Sequence, residues 1–214
     1  MKIQTFPLIL FGVNAYVVYD PDGGEAAIVD PGIVDNREID AIDAFLKEMD
    51  LEVVAIINTH LHIDHSLANK GLADKYGVPV MAHPDDEMLG KNLAKQAREF
   101  GLPLKVDNAA VSHDLKDGEK IRIGNGELTV IHVPGHSPGG IGLYDAADGF
   151  LISGDTLFEG SIGRSDLPGG NMAKLLESIK KRFYTLPDDT IVYPGHGGPT
   201  TIGREKSSNP FVRG

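Results

Sequence analysis

The sequence contains no cysteine. Disulfides are thereby excluded, and so are thiolate ligands, so any metal ion must be held by nitrogen and oxygen donors alone. No apolar run approaches the roughly eighteen residues that cross a bilayer as a helix, so no membrane-embedded segment is expected. The opening stretch, MKIQTFPLILFGVNAYVVYD, has one lysine and a short apolar run without a small-residue cleavage site. It passes directly into strand-like alternation, so no signal peptide is expected and the location is read as cytoplasmic. Positive charge is also scarce: 20 Lys and Arg stand against 31 Asp and Glu, a formal net charge of -11. Nucleic-acid binding draws on a basic surface that releases counterions, so that class of partner is not expected either. Low-complexity tracts and linker-like stretches are missing, and the pattern reads as one domain over residues 1–214.

What is present is an alternation of short strands and amphipathic helices. NAYVVYD and EAAIVD flank the turn PDGG as a hairpin. NREIDAIDAFLKEMD sets Ile39, Ile42, Phe45, Leu46 and Met49 at helical spacing. EVVAIINTH reads as a β-branched strand buried on both faces, and SLANKGLADKYG as a helix starting near Ser66 and closed by Gly77. VPVMAH predicts a strand, and PDDEMLGKNLAKQAREFG one helix with Pro84 and acids at its start and Gly101 after its end. EKIRIG with ELTVIHVPGH, and GGIGLYD with GFLISGD, read as two further strand pairs. NMAKLLESIKKRF predicts a helix with Met172, Leu175, Leu176 and Ile179 on one face, before the closing strand and loop TIVYPGHG. Strands outnumber helices, which implies two packed sheets covered by helices in an α/β layered fold.

Four loops repeat one design: an apolar strand ends and metal-ligand residues follow at once. They are NTHLHIDH, VPGHSPGG, ISGDTLF and YPGHGG. Strand ends are where residues distant in sequence can share one crevice. The candidate ligands are His60, His62, Asp64, His65, His136, Asp155 and His196. On an extended segment residues two apart face the same side, so His60 and His62 can grip one ion together. Asp64 and His65 follow where the chain turns and are expected to face a neighbouring position. The expected sets are His60, His62 and His136 for a first divalent ion and Asp64, His65 and His196 for a second, with Asp155 shared between them. Zinc is favoured, with iron and manganese compatible. Two ions about 3.5–4 Å apart would hold a water between them and bring its pKa from about 15.7 toward roughly 7, giving a bridging hydroxide at neutral pH. His83 before a helix, His132 within a strand and His113 in a polar loop are assigned no role.

THLHIDH followed by His136, Asp155 and His196 resembles the metallo-β-lactamase superfamily and its T-H-x-H-x-D-H motif with a distal His, Asp and His. The resemblance runs from NAYVVYD to YPGHGG and implies an αββα sandwich with the site at one edge of the sheets. Within the superfamily, GDTLFEGSIGRSDLPGG is most similar to the glyoxalase II group, whose members hydrolyse glutathione thioesters such as S-lactoylglutathione. It implies a substrate-binding role for Arg164 in SIGRSD. The chain departs from that group in three places: no C-terminal helical substrate-binding domain follows His196, and Asp166 and Gly198 stand where the group carries tyrosines. The expectation is therefore a short metal-dependent thioester hydrolase with a small-molecule substrate. A thiolate leaves without prior protonation because its conjugate acid has a pKa near 8.5. Asp155 is expected to join the two ions, and Asp64 to serve as the available proton donor.

Three other readings compete. Persulfide dioxygenases resemble the same motif and a G-R-[ST]-D segment, and would use one iron on His60, His136 and Asp155 as a facial triad. A metallo-hydrolase of a different ester uses the same ligands. A non-catalytic metal-binding protein would not need all seven positions filled.

Overall fold

The computed structural model describes residues 1–214. Its first sheet begins with three antiparallel strands, β1 (Lys2–Pro7), β2 (Asn14–Asp20) and β3 (Glu25–Val29). The helix α1 (Asn36–Glu48) follows, opened by a capping box in which the Asp35 carboxylate and Glu38 satisfy each other's backbone N–H groups. It returns the chain to β4 (Glu52–Ile57), parallel to β3. Two short helices, α2 (Ile63–Ser66) and α3 (Asn69–Tyr76), lead to β5 (Val80–Ala82). Then α4 (Glu87–Lys91) and α5 (Leu93–Glu99) precede the edge strand β6 (His113–Asp114).

The second sheet collects β7 (Lys120–Ile123), β8 (Gly126–His132), β9 (Ile141–Asp145) and β10 (Phe150–Gly154). A small hairpin of β11 (Leu157–Phe158) and β12 (Ser161–Ile162) and the helix α6 (Met172–Ser178) come next. The sheet is completed by β13 (Ile191–Pro194) and β14 (Thr200–Thr201), and α7 (Ile202–Ser208) follows. The strand orders are β1-β2-β3-β4-β5-β6 and β14-β13-β10-β9-β8-β7.

Alternation along the strands divides their side chains between layers. Tyr16, Val18, Ala27, Val29, Ala55 and Ile57 of the first sheet meet Leu128, Val130, Leu143, Phe150 and Ile152 of the second in a shared interior. The opposite face of the first sheet, with Val17, Ile28 and Ile56, packs on Ile42 and Leu46 of α1 and Leu72 of α3. The outer face of the second sheet, with Ile131, Leu151 and Val192, packs on Leu175 and Ile179. Helix, sheet, sheet, helix is the expected αββα sandwich.

Topology brings the four ligand loops together. β8 is antiparallel to β9, β9 is antiparallel to β10, and β10 is parallel to β13. Hence β8, β10 and β13 point the same way, and their carboxyl ends share one edge of the sheet. The first sheet is stitched to that edge. Asn14 N–H donates to Gly195 O at 2.8 Å, Tyr16 O–H to Pro194 O at 2.5 Å, and Ile141 N–H to Thr59 O at 2.8 Å.

Three helix expectations are corrected. The segment expected to be helical from Ser66 starts at Ile63 and breaks before α3, because Ala68 N–H leaves the helix to donate to Pro31 O. Asp64 and His65 therefore sit on the first turn of α2. The single helix expected after Pro84 divides at Asn92, whose side chain donates to Met88 O at 2.7 Å and competes with the backbone pattern. The last expected helix widens into a π turn over Ile179–Phe183, and Met172, expected on the apolar face, is exposed. His113, expected in a loop, lies on β6 and faces solvent.

Ile57 is fully buried between the sheets at the end of the strand that carries the histidine cluster. Ile57→Ala is expected to cost about 2–5 kcal/mol. Urea denaturation should show a lower midpoint with an unchanged slope.

Candidate metal centre

Backbone extension at the end of β4 presents His60 and His62 on one side, and His62, with φ -71° and ψ 153°, is the last extended residue before α2. Their rings meet that of His136, which the loop after β8 brings from the second sheet. His62 Nδ1 lies 2.9 Å and His60 Nε2 3.3 Å from His136 Nε2. The His136 Nδ1–H donates to Arg164 O at 2.7 Å, which leaves Nε2 as a lone-pair donor facing the other two nitrogens. Three imidazole nitrogens thus converge on one point, as expected for the first ion.

The second group forms beside it. His196 Nε2 lies 3.6 Å from Asp64 Oδ2, and His65 Nε2 lies 3.8 Å from the same oxygen. Asp155 stands between the groups. Its Oδ2 is 3.6 Å from His136 Nε2 and 3.4 Å from His196 Nε2, while its Oδ1 is 3.5 Å from His65 Nε2. All seven ligand candidates are therefore brought together. Gly195 allows this closeness, since a Cβ there would overlap the Asp155 carboxylate and the His65 ring.

The donor set fits divalent cations. His65 Nε2 and Asp155 Oδ1 are buried without a hydrogen-bond partner in the protein, although buried polar atoms are otherwise satisfied almost without exception. Five imidazoles and two carboxylates with no sulfur suit zinc, iron or manganese. The protonation pattern differs between the groups. Burial and the neighbouring imidazoles hold His60 well below the ordinary histidine range, and burial with His136 brings His62 down to about 3. Burial also opposes charge on His65 and His196. There the carboxylates outweigh it: Asp155, Asp64 and Asp30 raise His65 to about 9, and Asp155 and Asp64 raise His196 to about 10. Burial works against ionisation of Asp155, yet His65 and His196 hold its carboxyl well below the usual range.

Two buried carboxylates outside the sequence expectation align the ligands. Asp30, fully buried at the end of β3, accepts Thr59 N–H at 2.7 Å and Thr59 O–H at 2.6 Å. Its Oδ2 lies 3.1 Å from His65 Nδ1, which directs the opposite ring nitrogen toward Asp64 and Asp155. Thr59 Oγ1 is in turn 3.1 Å from His60 Nδ1, so one acid orients a ligand of each group. Asp86, also fully buried, accepts Leu61 N–H at 3.0 Å, Ser137 O–H at 2.8 Å and Gly139 N–H at 2.5 Å. It clamps the loop of His60 and His62 to the loop of His136. Burial pushes its carboxyl above the usual range, while these three donors pull it back. A sequence signal existed for Asp30, since IVDPG is another strand ending in a ligand-type residue. None marked Asp86.

Arg164 lines the same cavity as Phe11, His62, Asp64, Phe100, His136, Asp155, Leu167 and His196, a space of about 220 Å³. Its guanidinium is held in a two-point pair by Asp166, with Nε–Oδ1 at 2.7 Å and a second contact at 2.8 Å. A slightly larger cavity, about 250 Å³, lies behind Leu61 beside His83. The chemistry is assigned to the smaller one: His83 and His132 approach Asp85 as a third group, but the ring nitrogens they turn toward it are already engaged. Their rings stack at 3.9 Å and within 8° of parallel. His83 Nδ1 accepts Asp85 N–H, and His132 Nε2–H donates to Pro138 O.

Two outcomes are expected. Asp86→Ala should lower stability by at least about 3 kcal/mol, since three buried donors lose their acceptor. Asp86→Asn should cost less, and chemical denaturation of both variants measures the difference. Separately, a histidine must shed its proton before it binds a cation. In chelated protein at pH 7, His65 and His196 are protonated, because their pKa values are raised, while His60 and His62 are neutral because theirs are depressed. Binding at Asp64, His65 and His196 should release about two protons, and its affinity should climb by up to ~100-fold per pH unit until pH approaches 9. Calorimetry in buffers of different ionisation heat measures the release.

The family model of the Metallo-beta-lactamase superfamily matches residues 8–196. The hydroxyacylglutathione hydrolase GloC of Haemophilus influenzae is 37% identical over 214 residues, covering 99% of this chain and 98% of that protein. Among solved structures, the BLEG-1 B3 metallo-beta-lactamase is 38% identical with a TM-score of 0.89, each chain covered in full. A di-iron-bound form of TTHA1623 is 36% identical with a TM-score of 0.84, covering 99% of this chain and 100% of that one. The matched span holds all seven converging ligands, and on that ground the chain belongs to the metallo-beta-lactamase superfamily.

Proposed function

We propose that this chain is a metal-dependent hydrolase of thioesters, of the kind represented by S-lactoylglutathione, working with two divalent ions. The observation that carries the reading is the Asp155 carboxylate, which reaches both groups of ligands from a buried position. His60, His62 and His136 would hold one ion, Asp64, His65 and His196 the other, and Asp155 both. Such ions supply Lewis acidity and a water acidic enough to be deprotonated near neutral pH.

The chain's own groups hold and orient the reactants. Asp30 and Thr59 fix the His65 and His60 rings, and the Arg164 carbonyl fixes that of His136. Asp64 is the more exposed of the two central carboxylates, 19% against 11% for Asp155, and its Oδ2 faces His196 at the cavity mouth. Burial works against its ionisation, yet His65 and His196 hold its carboxyl below the usual range, so it is a weak proton donor. A thiolate leaving group asks little of such a donor, whereas an amine nitrogen must be protonated to leave, and this favours a thioester over the lactam substrates implied for BLEG-1 by its name. GloC, named as a hydroxyacylglutathione hydrolase and similar over nearly its whole length, supports the same choice. Zinc, iron and manganese all suit the donors, and the di-iron form of TTHA1623 makes iron as reasonable as zinc. The Asp64, His65 and His196 donors lie close enough together to take a second ion, a position the dioxygenase reading leaves without a role.

The test pairs metal quantification with turnover. Purified protein is expected to carry two ions per chain and to hydrolyse S-lactoylglutathione until a chelator removes them. Asp155→Ala should lose at least ~100-fold in kcat/KM, more than the loss of a merely orienting group. Arg164→Ala should lower kcat/KM for S-lactoylglutathione by less than about fivefold, because an exposed guanidinium already paired with Asp166 has little net binding energy left to offer. One iron per chain with oxygen uptake on a persulfide, and no thioester turnover, would replace this reading with the dioxygenase.

A further inference from the structure

Part of the cavity wall is aromatic. Phe11 and Phe100, 48% and 46% exposed, stand side by side with ring centroids 5.6 Å apart and planes at 60°. Both line the space that contains Asp64, His136, Asp155 and His196, and Leu167 adds a third apolar side chain. Half-exposed large aromatics grouped at a polar centre are an informative departure from ordinary surfaces.

Neither ring is there by default. Phe11 has φ 54°, a left-handed conformation that a bulky side chain rarely adopts. The loop imposes it: Leu8 N–H donates to Val13 O at 2.7 Å, so the chain reverses tightly through Phe11 and Gly12. Such strain persists where the surrounding structure over-determines it, and it is characteristic of ligand-binding positions. Phe100 caps α5, its N–H bonded to Gln96 O, and the Gln96 side chain accepts Ile63 N–H at 2.9 Å just after His62. The shelf is therefore tied to the ligand loop through two hydrogen bonds.

The polar side of the cavity offers little free recognition. Arg164 is its only cationic side chain outside the ligand histidines, and Asp166 holds it. At about 220 Å³ the space is below the roughly 300–1,000 Å³ of sites that enclose drug-sized ligands. It has room for a carbonyl and one flanking group, so the peptide part of a glutathione thioester would lie outside it.

We infer that Phe11 and Phe100 form the acyl-recognition shelf of this site, selecting thioesters whose acyl group carries an aromatic or branched apolar substituent. The inference rests on the hydrolase reading above. The reaction is R–CO–S–R′ + H2O → R–COO⁻ + R′–S⁻ + 2H⁺: a C–O bond forms, the C–S bond breaks, and its electron pair leaves on sulfur. The thiolate departs through the mouth to solvent, while the acyl half stays at the reacting centre until the end. The fixed walls therefore grip the acyl group.

The experiment compares S-acetyl-N-acetylcysteamine, S-phenylacetyl-N-acetylcysteamine and benzyl thioacetate on metal-loaded protein. The phenylacetyl ester is expected to exceed the acetyl ester of the same thiol in kcat/KM by at least about tenfold, the discrimination that a hydrophobic pocket gives a flanking group. Phe11→Leu and Phe100→Leu should each shrink that ratio several-fold, with two ions per chain showing that the centre is intact. Equal turnover of the two acyl esters, or an equal loss on both in the variants, overturns the inference while leaving thioester hydrolysis standing. A gain confined to benzyl thioacetate assigns the shelf to the thiol half and overturns the acyl assignment. Failure of the fully loaded protein on all three esters and on S-lactoylglutathione would overturn the hydrolase reading together with this one.

Discussion

The buried Asp155 carboxylate is the group around which the rest of the molecule is arranged. An ionised carboxylate out of water is unfavourable unless positive charge or hydrogen bonds surround it. Here the compensation comes from imidazoles delivered by three separate loops, His65 after β4, His136 after β8 and His196 after β13. No local segment can supply that arrangement. It exists only because β8, β10 and β13 run in one direction and the first sheet is pinned to their ends through Asn14, Tyr16 and Thr59. Clustered charges and neutral imidazoles work against folding, so the scaffold must hold them from outside. The three apolar layers of the sandwich provide that resistance.

Alignment of the ligands is handled by different acids from those that face the centre. Asp30 and Asp86 have no exposed surface, and each accepts hydrogen bonds from the backbone of the THLHIDH loop. Asp30 links that loop to the strand beside it in the first sheet. Asp86 links it to the second sheet through Ser137 and Gly139. The His60 and His136 rings are thus oriented by hydrogen bonds, and the His65 ring by its approach to Asp30, before any ion arrives. A site preorganised in this way loses less conformational freedom on binding.

Much of this was legible in the chain because strand alternation and strand-end ligands are local patterns. The hairpin at PDGG and the apolar face of α1 follow from spacing alone. The ligand loops were readable because each follows its strand immediately. Asp86 was not, since its partners lie 25, 51 and 53 residues away and its neighbours HPDDE read as an ordinary helix start. The same limit hid the break at Asn92 and the pause before Ala68, where side-chain or loop acceptors overrule helical propensity. Arg164 shows the division within one residue. The family resemblance implied a substrate-binding role for its side chain, while no sequence pattern showed that its carbonyl orients His136 and that Asp166 pairs with its guanidinium.

The cavity also pairs two environments that reinforce each other. Its lining joins charged ligands to the apolar side chains of Phe11, Phe100 and Leu167. Solvent reaches the ligands mainly at His196 and Asp64, whose side chains keep 30% and 19% exposure. An apolar group packed on Phe11 and Phe100 would displace water from the cavity that those two residues share with them. Coulomb interactions at about 4 Å strengthen from roughly 1 kcal/mol in water to about 4 kcal/mol at the effective dielectric of a protein surface site. Recognition of an apolar substituent would then do more than hold the substrate, because the same contact intensifies the field at the reacting carbonyl. Specificity and rate would rise together, as they must when remote binding energy is spent in the transition state.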